Sequence, residues 1–534
     1  MKNKGLAAFA LLAILMLLVA VPAGAQSGSK GYLIGSENPL TAQQVRQLKN
    51  SGANVKFVFR NFGGAAAVIS DANVAKVRAL SFVTSVNEDP LKQPDEVILA
   101  PAASDGAPLP GTPYWQDLID LEATAVTGKG VWVAVLDTGF YPNWRDYFHE
   151  EQILTDLATA FVAANGNQND NQWDVGSDPH GMAVSGTIVG YRLEDRENEG
   201  GGGEGAATGS AGTYWVPGVA PDAKIIPIKV CEPIGCFGSA INAAIDYVTD
   251  LKKANPSRPI VINESLGGPG LDAVEKAAID AAVKAGVVLV ASAGNSGEFG
   301  MGFPGAYEPV ISTGAGGWVD QWNEHPDKTW WLDDVPEEGV NEVFVVDFSS
   351  RALAGQYLDV VSTGRFLLLP YPCAKLYKDG EVTEGTNNRT CASKATPEGS
   401  DEAPFQYLFI SGTSFSAPTI SGVVALMLEV NPTLNNADAD PGVLGDPGSW
   451  GAGALERALE GSATALPSSG SVLTTFRTGD DDLESWDTSC DHDGNAGTPE
   501  VPCDPVGHGW VFADDAVKAA NGASSGKGKG GSNK

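Results

Sequence analysis

The sequence predicts an α/β fold whose body is a doubly wound, mostly parallel sheet, and two patterns support this. Five apolar runs are too continuous for strands with one solvated face, and they occupy 131–137, 224–230, 260–263, 287–292 and 310–313. Helix-period segments at 239–253 and 271–285 alternate with these runs, as helices and strands do around a parallel sheet. Such sheets bind ligands at the carboxyl ends of their strands, so functional residues are expected there.

Composition and charge narrow the classes of function. The 534 residues are 43% hydrophobic and 19% charged, which supports a folded core. There are 66 acidic and 34 basic residues, giving a net charge of −32 that repels phosphate backbones and anionic lipid. Nucleic-acid binding is therefore excluded as the main activity.

The N-terminus predicts export. Lys2 and Lys4 precede an apolar run at 6–21, and Pro22 and the small residues 23–25 follow it. This pattern is typical of a signal peptide at 1–25 rather than a membrane anchor, because the apolar run is short and ends at a proline. We expect a secreted, extracellular protein with no membrane segment after cleavage.

A small unit precedes the acidic body. Residues 26–100 hold 8 basic and 6 acidic side chains, whereas 101–534 hold 24 and 60, so the two parts attract each other. A strand pattern from 55, a helical pattern at 71–80 and a second strand at 82–86 predict an α+β unit. We interpret it as a prodomain, with a free-standing domain as the alternative.

The remaining boundaries follow from composition. The stretch 90–111, rich in Pro, Ala and Asp, is the expected linker. The main domain is expected at 101–520, and a flexible tail at 521–534.

The six cysteines fall into three close pairs, which predicts local disulfides. The expected bonds are Cys231 to Cys236, Cys373 to Cys391 and Cys490 to Cys503. Six cysteines allow fifteen pairings, and free thiols are the alternative. Local pairing is preferred because each pair has its own Gly/Pro-rich segment and no metal-type C-x-x-C spacing occurs.

Four polar residues stand at the ends or starts of predicted elements. Asp137 ends an apolar strand, His180 opens a small-residue helix, Ser414 precedes an apolar helix, and Asn295 follows a buried strand. Alone, each has an ordinary explanation: a turn aspartate, a helix-start histidine, an N-cap serine and a turn asparagine. Of the five histidines, only His180 has flanks that suggest more than a surface position.

Together, the four residues and their flanks resemble the subtilisin-like serine protease (subtilase) family. The matching segments, in order, are VAVLDTG, HGMAVSGT, VINESLGG, AGN and GTSFSAP. The order Asp, His, Ser is the chain order of that family. The resemblance covers about 108–520, and 50–89 resembles the family's inhibitory propeptide, a small α+β ferredoxin-like domain.

The resemblance implies roles for the four residues. Ser414 would be the nucleophile, His180 its general base and then acid, and Asp137 the group that orients His180. Asn295 and the Ser414 N–H would form the oxyanion hole.

It also implies a substrate-binding region. One edge strand would pair with the substrate backbone, and the S1 pocket would have small-residue walls and a glycine floor that admit a large apolar P1 side chain. The residues concerned are Ser265, Leu266 and Gly267 for the edge strand, Ala291, Ser292, Ala293 and Gly294 for the wall, and Gly302 for the floor.

The sequence departs from the family in two respects. Met182 and Ala183 replace the Thr-His that often follows His-Gly, which would change packing behind the triad. Asp146 matches a calcium ligand of the family, but a Gly-rich insertion stands where the other ligands usually occur. A second acidic loop could hold calcium through Asp491, Asp493 and Asn495, although it lacks the spacing of an EF-hand.

We therefore expect a secreted, monomeric serine endopeptidase that is made as a self-processed zymogen and acts on proteins or peptides. No cofactor is expected for catalysis, structural calcium could be present, and the propeptide would be an intramolecular inhibitor. The alternative is a non-catalytic adhesin or scaffold on a subtilase fold. An α/β-hydrolase esterase is disfavoured because Ser416 stands where G-x-S-x-G needs its second glycine.

Overall fold

The computed structural model describes most of the chain from residue 28 to residue 523. The described ranges are 28–94, 98–99, 112–162, 167–168, 172–176, 178–194, 213–318, 335, 339–371, 377–378, 381–382, 407–440, 451–466, 472–474, 483–485, 489–490 and 500–523. The predicted signal peptide, the predicted tail from residue 524, the calcium loop at 491–495 and the cysteine pair Cys373 and Cys391 lie outside these ranges.

The N-terminal unit has the element order β-α-β-β-α-β. Its elements are β1 (Ser29–Ser36), α1 (Ala42–Asn50), β2 (Ala53–Val58), β3 (Gly64–Ser70), α2 (Asp71–Arg78) and β4 (Val83–Glu88). The strands form an antiparallel sheet in the order β2-β3-β1-β4. Thr41 caps α1 by accepting a hydrogen bond from Gln44 N, and the Gln44 side chain accepts one from Thr41 N, a reciprocal capping box.

Two short strands, at 91–94 and 98–99, connect the N-terminal unit to the body, and the elements of the body follow them. In chain order the elements are β5 (Leu91–Pro94), β6 (Ile98–Leu99), α3 (Tyr114–Asp117), β7 (Trp132–Asp137), β8 (Thr159–Val162), β9 (Asn167–Gln168), α4 (His180–Val189), β10 (Gly190–Glu194), β11 (Thr213–Pro217), β12 (Lys224–Lys229), β13 (Cys231–Glu232), β14 (Gly235–Phe237), α5 (Gly238–Ala254), β15 (Ile260–Glu264), β16 (Leu266–Gly267), α6 (Ala273–Lys284), β17 (Val287–Ser292), β18 (Ile311–Trp318) and β19 (Val343–Val346).

The remaining elements carry the C-terminal part of the body. They are β20 (Val360–Thr363), β21 (Leu367–Pro370), β22 (Tyr377–Lys378), β23 (Glu381–Val382), β24 (Tyr407–Ser411), α7 (Thr413–Val430), α8 (Ala454–Ser462), β25 (Val472–Thr474), β26 (Leu483–Ser485), β27 (Ser489–Cys490), β28 (Val501–Pro502) and α9 (Ala513–Gly522).

A large sheet forms the centre of the body, in the order β26-β25-β19-β18-β17-β15-β7-β12-β8-β9, with β20 also paired to β18. The central pairs from β8 to β18 are parallel. Antiparallel pairs occur at the two ends, where β9 joins β8, β19 joins β18 and β26 joins β25. The predicted parallel sheet is therefore confirmed at its centre.

Helices cover both faces of this sheet. Along β7, Val133 and Val135 pack into one core with residues of α4, α7, α8 and α9. Ala134 and Leu136 point the other way, into a core with residues of α5 and α6. This alternation is why the strands read as continuous apolar runs, because each strand is buried on both faces.

The predicted elements of the body are confirmed with small changes in their bounds. The strand at 287–292 is observed with those bounds, while the strand predicted at 310–313 runs to Trp318. The helices at 239–253 and 271–285 are α5 and α6, and the apolar helix after Ser414 is α7. Three elements of the N-terminal unit, β1, α1 and β3, were not predicted from the sequence.

Two of the predicted disulfides are confirmed, Cys231–Cys236 and Cys490–Cys503. Among the described residues, α7 is the one helix that is both long enough and apolar enough to cross a membrane. However, 89% of it is buried inside the protein. That burial is typical of the core helix of a globular protein.

Candidate active site

Four of the predicted residues lie on elements that end or begin at the carboxyl edge of the central sheet. Asp137 is the last residue of β7, and Asn295 follows β17 by three residues. His180 is the first residue of α4, and Ser414 is the second residue of α7. Helices α4 and α7 belong to the same core, where the rings of His180 and Phe415 lie with their centroids 5.7 Å apart.

Asp137 and His180 form a buried pair. His180 Nδ1 lies 2.8 Å from Asp137 Oδ1 and 3.0 Å from Oδ2. The exposed fraction is 0% for His180 and 1% for Asp137. A carboxylate at Nδ1 fixes the proton on that nitrogen and leaves Nε2 as the basic atom of the neutral ring.

The turn after Asp137 and the start of α4 hold this pair in place. Thr138 N donates to Asp137 Oδ1 at 2.7 Å, and Gly181 N donates to Thr138 Oγ1 at 3.0 Å. Asp178 accepts a hydrogen bond from His180 N at 2.9 Å. A Cβ at Gly181 would lie 2.8 Å from the backbone carbonyl oxygen of Gly139 and 3.3 Å from Asp137 Cβ, so a glycine allows the helix to approach the strand and its turn this closely.

Ser414 is positioned by a chain of hydrogen bonds behind it. Pro418 has no N–H, so it cannot donate to the Ser414 carbonyl four residues earlier, as other helix residues would. Ser265 Oγ donates to that carbonyl instead, at 2.8 Å. Asn263 Nδ2 donates to Ser265 Oγ at 3.0 Å and its Oδ1 accepts from Ser421 Oγ at 2.9 Å. Because Pro418 leaves this carbonyl free, Ser265 of the edge strand can form a hydrogen bond with the helix that carries Ser414.

Thr413, which the sequence analysis did not single out, orients Asn295. Asn295 Oδ1 accepts hydrogen bonds from Thr413 N at 2.9 Å and Thr413 Oγ1 at 2.8 Å. Thr413 Oγ1 also accepts one from Gly294 N at 3.1 Å. With its oxygen held this way, the donor of the Asn295 amide is Nδ2, the atom that an oxyanion requires. The signal available in the sequence is the threonine immediately before the serine.

The predicted substrate-binding residues also come together. Gly302 N donates to Ala293 O at 3.0 Å, and a Cβ at Gly302 would lie 3.6 Å from Gly267 Cα. The edge strand, the wall and the floor named from the sequence are thus neighbours. Beside them, Ser414 Oγ lies 3.4 Å from the carbonyl oxygen of Ser265.

Strand β5 of the chain lies in a cleft between two edge strands of the body. It pairs antiparallel with β16 on one side, where Gln93 is opposite Gly267 and Pro94 is opposite Leu266. On the other side Lys92 is opposite Cys236 of β14. The Cys231–Cys236 disulfide joins β14 to β13, so it ties together the hairpin that forms this wall.

Strand β6 follows β5 after three residues and pairs with β24. Ile98 lies opposite Ser411 and Leu99 opposite Ile410. Ser411 is three residues before Ser414, so β6 pairs close to the nucleophile candidate in space. Strand β5 pairs with β16, which follows Ser265, whose carbonyl oxygen is 3.4 Å from Ser414 Oγ.

Met182 and Ala183, the noted departures, are both fully buried. Met182 Sδ accepts a hydrogen bond from Tyr141 N at 3.4 Å. The change from the family pattern is therefore accommodated by packing behind the Asp137–His180 pair.

A buried acidic cluster that the sequence did not predict could hold a cation. Oxygens of Asp359, Glu456 and Glu460 lie within 4.8 Å of one another. One buried oxygen of Asp359 and one of Glu456 have no hydrogen-bond partner in the described structure. Burial raises the pKa of all three carboxyls. Oxygens of this kind suit a hard divalent cation such as calcium. Asp146, the predicted calcium ligand, lies instead at the end of a short helical turn after β7.

Comparisons with known proteins agree with this geometry. Residues 128–479 match the family model described as "Subtilase family". Serine protease AprX of Bacillus subtilis is 27% identical over 353 residues, which are 62% of this chain and 66% of that protein. Subtilisin E of the same organism is 27% identical over 428 residues, 78% of this chain and 84% of that protein.

A solved structure shows the same fold. It is fervidolysin from Fervidobacterium pennivorans, a keratinolytic enzyme related to subtilisin, with a TM-score of 0.57 and 20% identity over 92% of this chain and 61% of that chain. The family model covers well over half of the 534 residues. The chain therefore belongs to the subtilase family, the subtilisin-like serine protease hydrolases.

Proposed function

We propose that the protein is a serine endopeptidase in which Ser414 attacks the substrate carbonyl. The observation that carries this proposal is the buried hydrogen bond from His180 Nδ1 to Asp137, at the start of a helix packed against the Ser414 helix. His180 Nε2 takes the proton of Ser414 Oγ during attack and then gives it to the leaving amine. Asp137 keeps the ring oriented and stabilises the imidazolium that forms.

The tetrahedral intermediate needs hydrogen-bond donors for its oxyanion. Asn295 Nδ2 and the N–H of Ser414, at the N-terminus of the 18-residue helix α7, are the proposed donors. Thr413 fixes the Asn295 oxygen, so the amide needs little reorganisation when charge develops. This preorganisation is the expected source of much of the rate enhancement.

The N-terminal unit is the proposed inhibitory prodomain, with a ferredoxin-like βαββαβ fold. The support is its contact with the body: Asp246 on α5 accepts hydrogen bonds from the backbone N–H groups of Arg60, at 3.0 Å, and Asn61, at 2.9 Å. Asp89 accepts from Ser239 N at 2.8 Å, at the N-terminus of α5. Strand β5 then occupies the cleft that a substrate strand would need.

The scissile bond of maturation is proposed to lie in the stretch 94–98. Strand β5 ends there beside β16 and β6 begins there beside β24. This stretch lies a few residues before the domain boundary at residue 100 that the sequence composition predicts. We also propose that the protein is secreted. The two disulfides support this, because disulfides form and persist in oxidising compartments.

The S1 pocket is proposed to take large apolar side chains. Gly267 and Gly302 contribute no side chains to the space between the edge strand and the pocket floor. A protein or peptide substrate would extend along β16 in the register of β5, and a monomer would suffice for this reaction.

The decisive experiment compares the secreted wild-type protein with Ser414→Ala, each purified from a host without other extracellular proteases. The wild type is expected to clear casein and to begin, by N-terminal sequencing, between residues 95 and 98. Ser414→Ala should be inactive and should keep its N-terminal unit. An inactive but correctly folded wild type would favour the adhesin alternative, and a processed Ser414→Ala would exclude self-cleavage.

A further inference from the structure

A buried acidic pocket that contains Glu275 lies near the edge strand β16, and the side chain of Lys92 from β5 occupies it. Lys92 is 1% exposed, and its Nζ donates to a carboxylate oxygen of Glu275, which is equally buried. Nζ also donates to the backbone carbonyl of Phe303 at 2.9 Å. A lysine so deep in a protein needs such partners, because an unpaired buried charge is strongly unfavourable.

A second carboxylate faces the same pocket. Glu264, the last residue of β15, is 1% exposed, and neither of its carboxylate oxygens has a hydrogen-bond partner in the described structure. One oxygen of Glu275 is also without a partner there. Burial raises the pKa of Glu264 to about 8, the neighbouring Glu275 adds to this, and the charge of Lys92 opposes it. The pocket therefore has more carboxyl oxygens than the single ammonium of Lys92 contacts.

The pocket belongs to the body, whereas its occupant belongs to the N-terminal unit. Glu264 ends β15 and Glu275 lies in the first turn of α6. Gly268 leaves room for the stem of the lysine, since a Cβ there would meet Lys92 Cγ at 3.0 Å. On removal of the N-terminal unit, both carboxyl groups would stay at the cleft, and Glu275 would lose the cation that it pairs with.

The strand register gives the position of Lys92 relative to the nucleophile. Gln93 is opposite Gly267 and Pro94 is opposite Leu266. A substrate strand bound in this register would place its next residue opposite Ser265, whose carbonyl lies 3.4 Å from Ser414 Oγ. If the residue opposite Ser265 is counted as P1, Lys92 is P4.

We propose that Glu275 and Glu264 form a binding site for the basic side chain of a substrate lysine or arginine at P4. This inference rests on the proposed endopeptidase activity and adds a second determinant to the apolar P1 preference. An aliphatic or amide side chain at P4 would leave the buried carboxylates without a cation, so discrimination should arise from the missing charge and not from size.

The test uses the mature enzyme and fluorogenic peptides with one scissile bond after a fixed leucine. Lysine is placed in turn at P3, P4 and P5, and norleucine, which has a similar stem but no ammonium group, is its reference at each position. We expect the kcat/KM ratio of lysine to norleucine to be at least tenfold at P4 and close to one at P3 and P5. A ratio near one at P4, or a preference at P3 or P5 instead, would overturn the proposal.

The Glu275→Gln variant tests whether Glu275 is responsible for the P4 preference. This variant keeps the shape of the side chain and removes its charge, and it should lower the P4 ratio at least fivefold. Glu151→Gln, at an exposed glutamate outside the cleft, is the matched control and should keep the wild-type ratio. An unchanged ratio in Glu275→Gln would remove Glu275 from the site. If that variant does not fold, the wild-type ratios decide the question.

The two proposals fail in different ways. Hydrolysis of the norleucine peptides without any lysine preference contradicts only the P4 site. Absence of hydrolysis for every peptide contradicts the proposed function itself.

Discussion

Single residues behind the reacting groups decide how well the site is organised. Asn295 is useful as a donor only if its amide oxygen is held elsewhere, and Thr413 holds it through both its N–H and its hydroxyl. We expect Asn295→Ala to lower kcat by about 100- to 1,000-fold with little change in KM, because the lost donor acts on the transition state.

Thr413→Val should have a smaller effect of the same kind. The variant keeps the N–H donor and loses the hydroxyl, so we expect kcat to fall about tenfold. Thr413→Ser retains the hydroxyl and is the matched control, with a kcat near that of the wild type. Steady-state kinetics on one peptide would measure all three, and a Thr413→Val variant that changes KM alone would contradict the positioning role.

At the residue scale, the sequence predicted the site residues that stand in local motifs and did not predict those that are brought together only by folding. Asp137, His180, Asn295 and Ser414 each stand in a short local motif at an element boundary. The pair Lys92 and Glu275 is separated by 183 residues and has no motif of its own. Such contacts exist only after folding, so local patterns cannot predict them.

Among the elements, helix α5 of the body binds the loop between β2 and β3 of the N-terminal unit through a cluster of hydrogen bonds. The Asn61 side chain donates to Asp246 Oδ1 at 2.8 Å, to the Asp246 carbonyl at 3.0 Å and to Asp250 Oδ1 at 2.9 Å. Hydrogen bonds to carboxylates are worth about 1.5–3 kcal/mol each. The loop between β2 and β3 therefore anchors the unit on α5.

We expect Asn61→Ala to weaken inhibition of the mature enzyme by the purified N-terminal unit about tenfold. The side-chain bonds are lost, while the backbone bond from Asn61 N to Asp246 remains. Gln43→Ala, on the exposed face of α1, is the matched control and should inhibit like the wild-type unit. Inhibition constants from peptide hydrolysis would decide, and equal constants for both variants would show that this loop is not an anchor.

Two elements of the N-terminal unit that were not predicted, β3 and α1, have few large apolar residues. Strand β3 has the sequence GAAAVIS, in which small residues replace the branched side chains typical of strands. Helix α1 has the mostly polar sequence AQQVRQLKN, with Leu48 as its one buried residue. Strand β3 is held by pairing with β1 and β2, and α1 packs against β2, so contacts within the unit stabilise both elements.

For the whole molecule, charge should govern how its two parts meet. Residues 26–100 carry +2 and residues 101–534 carry −36, so encounter is favoured at long range. The final contact also buries apolar side chains, with Leu33, Phe59 and Phe62 in the same core as α5 and α6. Apolar contacts are not screened by salt, whereas long-range attraction is.

We therefore expect the unit, added in trans, to inhibit the mature enzyme with an on-rate that falls between about 0.05 M and 0.5 M salt, while the final affinity changes less. Hydrolysis of a peptide with Phe or Leu at P1 would follow the onset. Absence of inhibition at both salt concentrations would refute the prodomain assignment. An onset that ignores salt would refute only the electrostatic steering.

Buried carboxyls should also give the whole molecule a characteristic stability profile. Glu308 is 2% exposed, and both of its oxygens lack a hydrogen-bond partner in the described structure. Burial raises its pKa to about 7, with Glu460 and Asp440 adding to the effect. The folded protein thus binds a proton that the unfolded chain, with an ordinary glutamate, releases near pH 4.5.

The sign of the effect follows from this difference. Since the folded state holds more protons, raising the pH from about 4.5 to 7 lowers the free energy of unfolding, and the loss is complete above pH 7. We expect the Tm of the inactive Ser414→Ala protein, measured in EDTA so that no divalent cation neutralises the carboxylates, to fall over this range. Glu308→Gln in the same background carries a permanently neutral side chain and should have a fall smaller by about 2–6 °C. Calorimetry across the pH range would measure both proteins, and parallel profiles would mean that Glu308 does not keep its proton on folding.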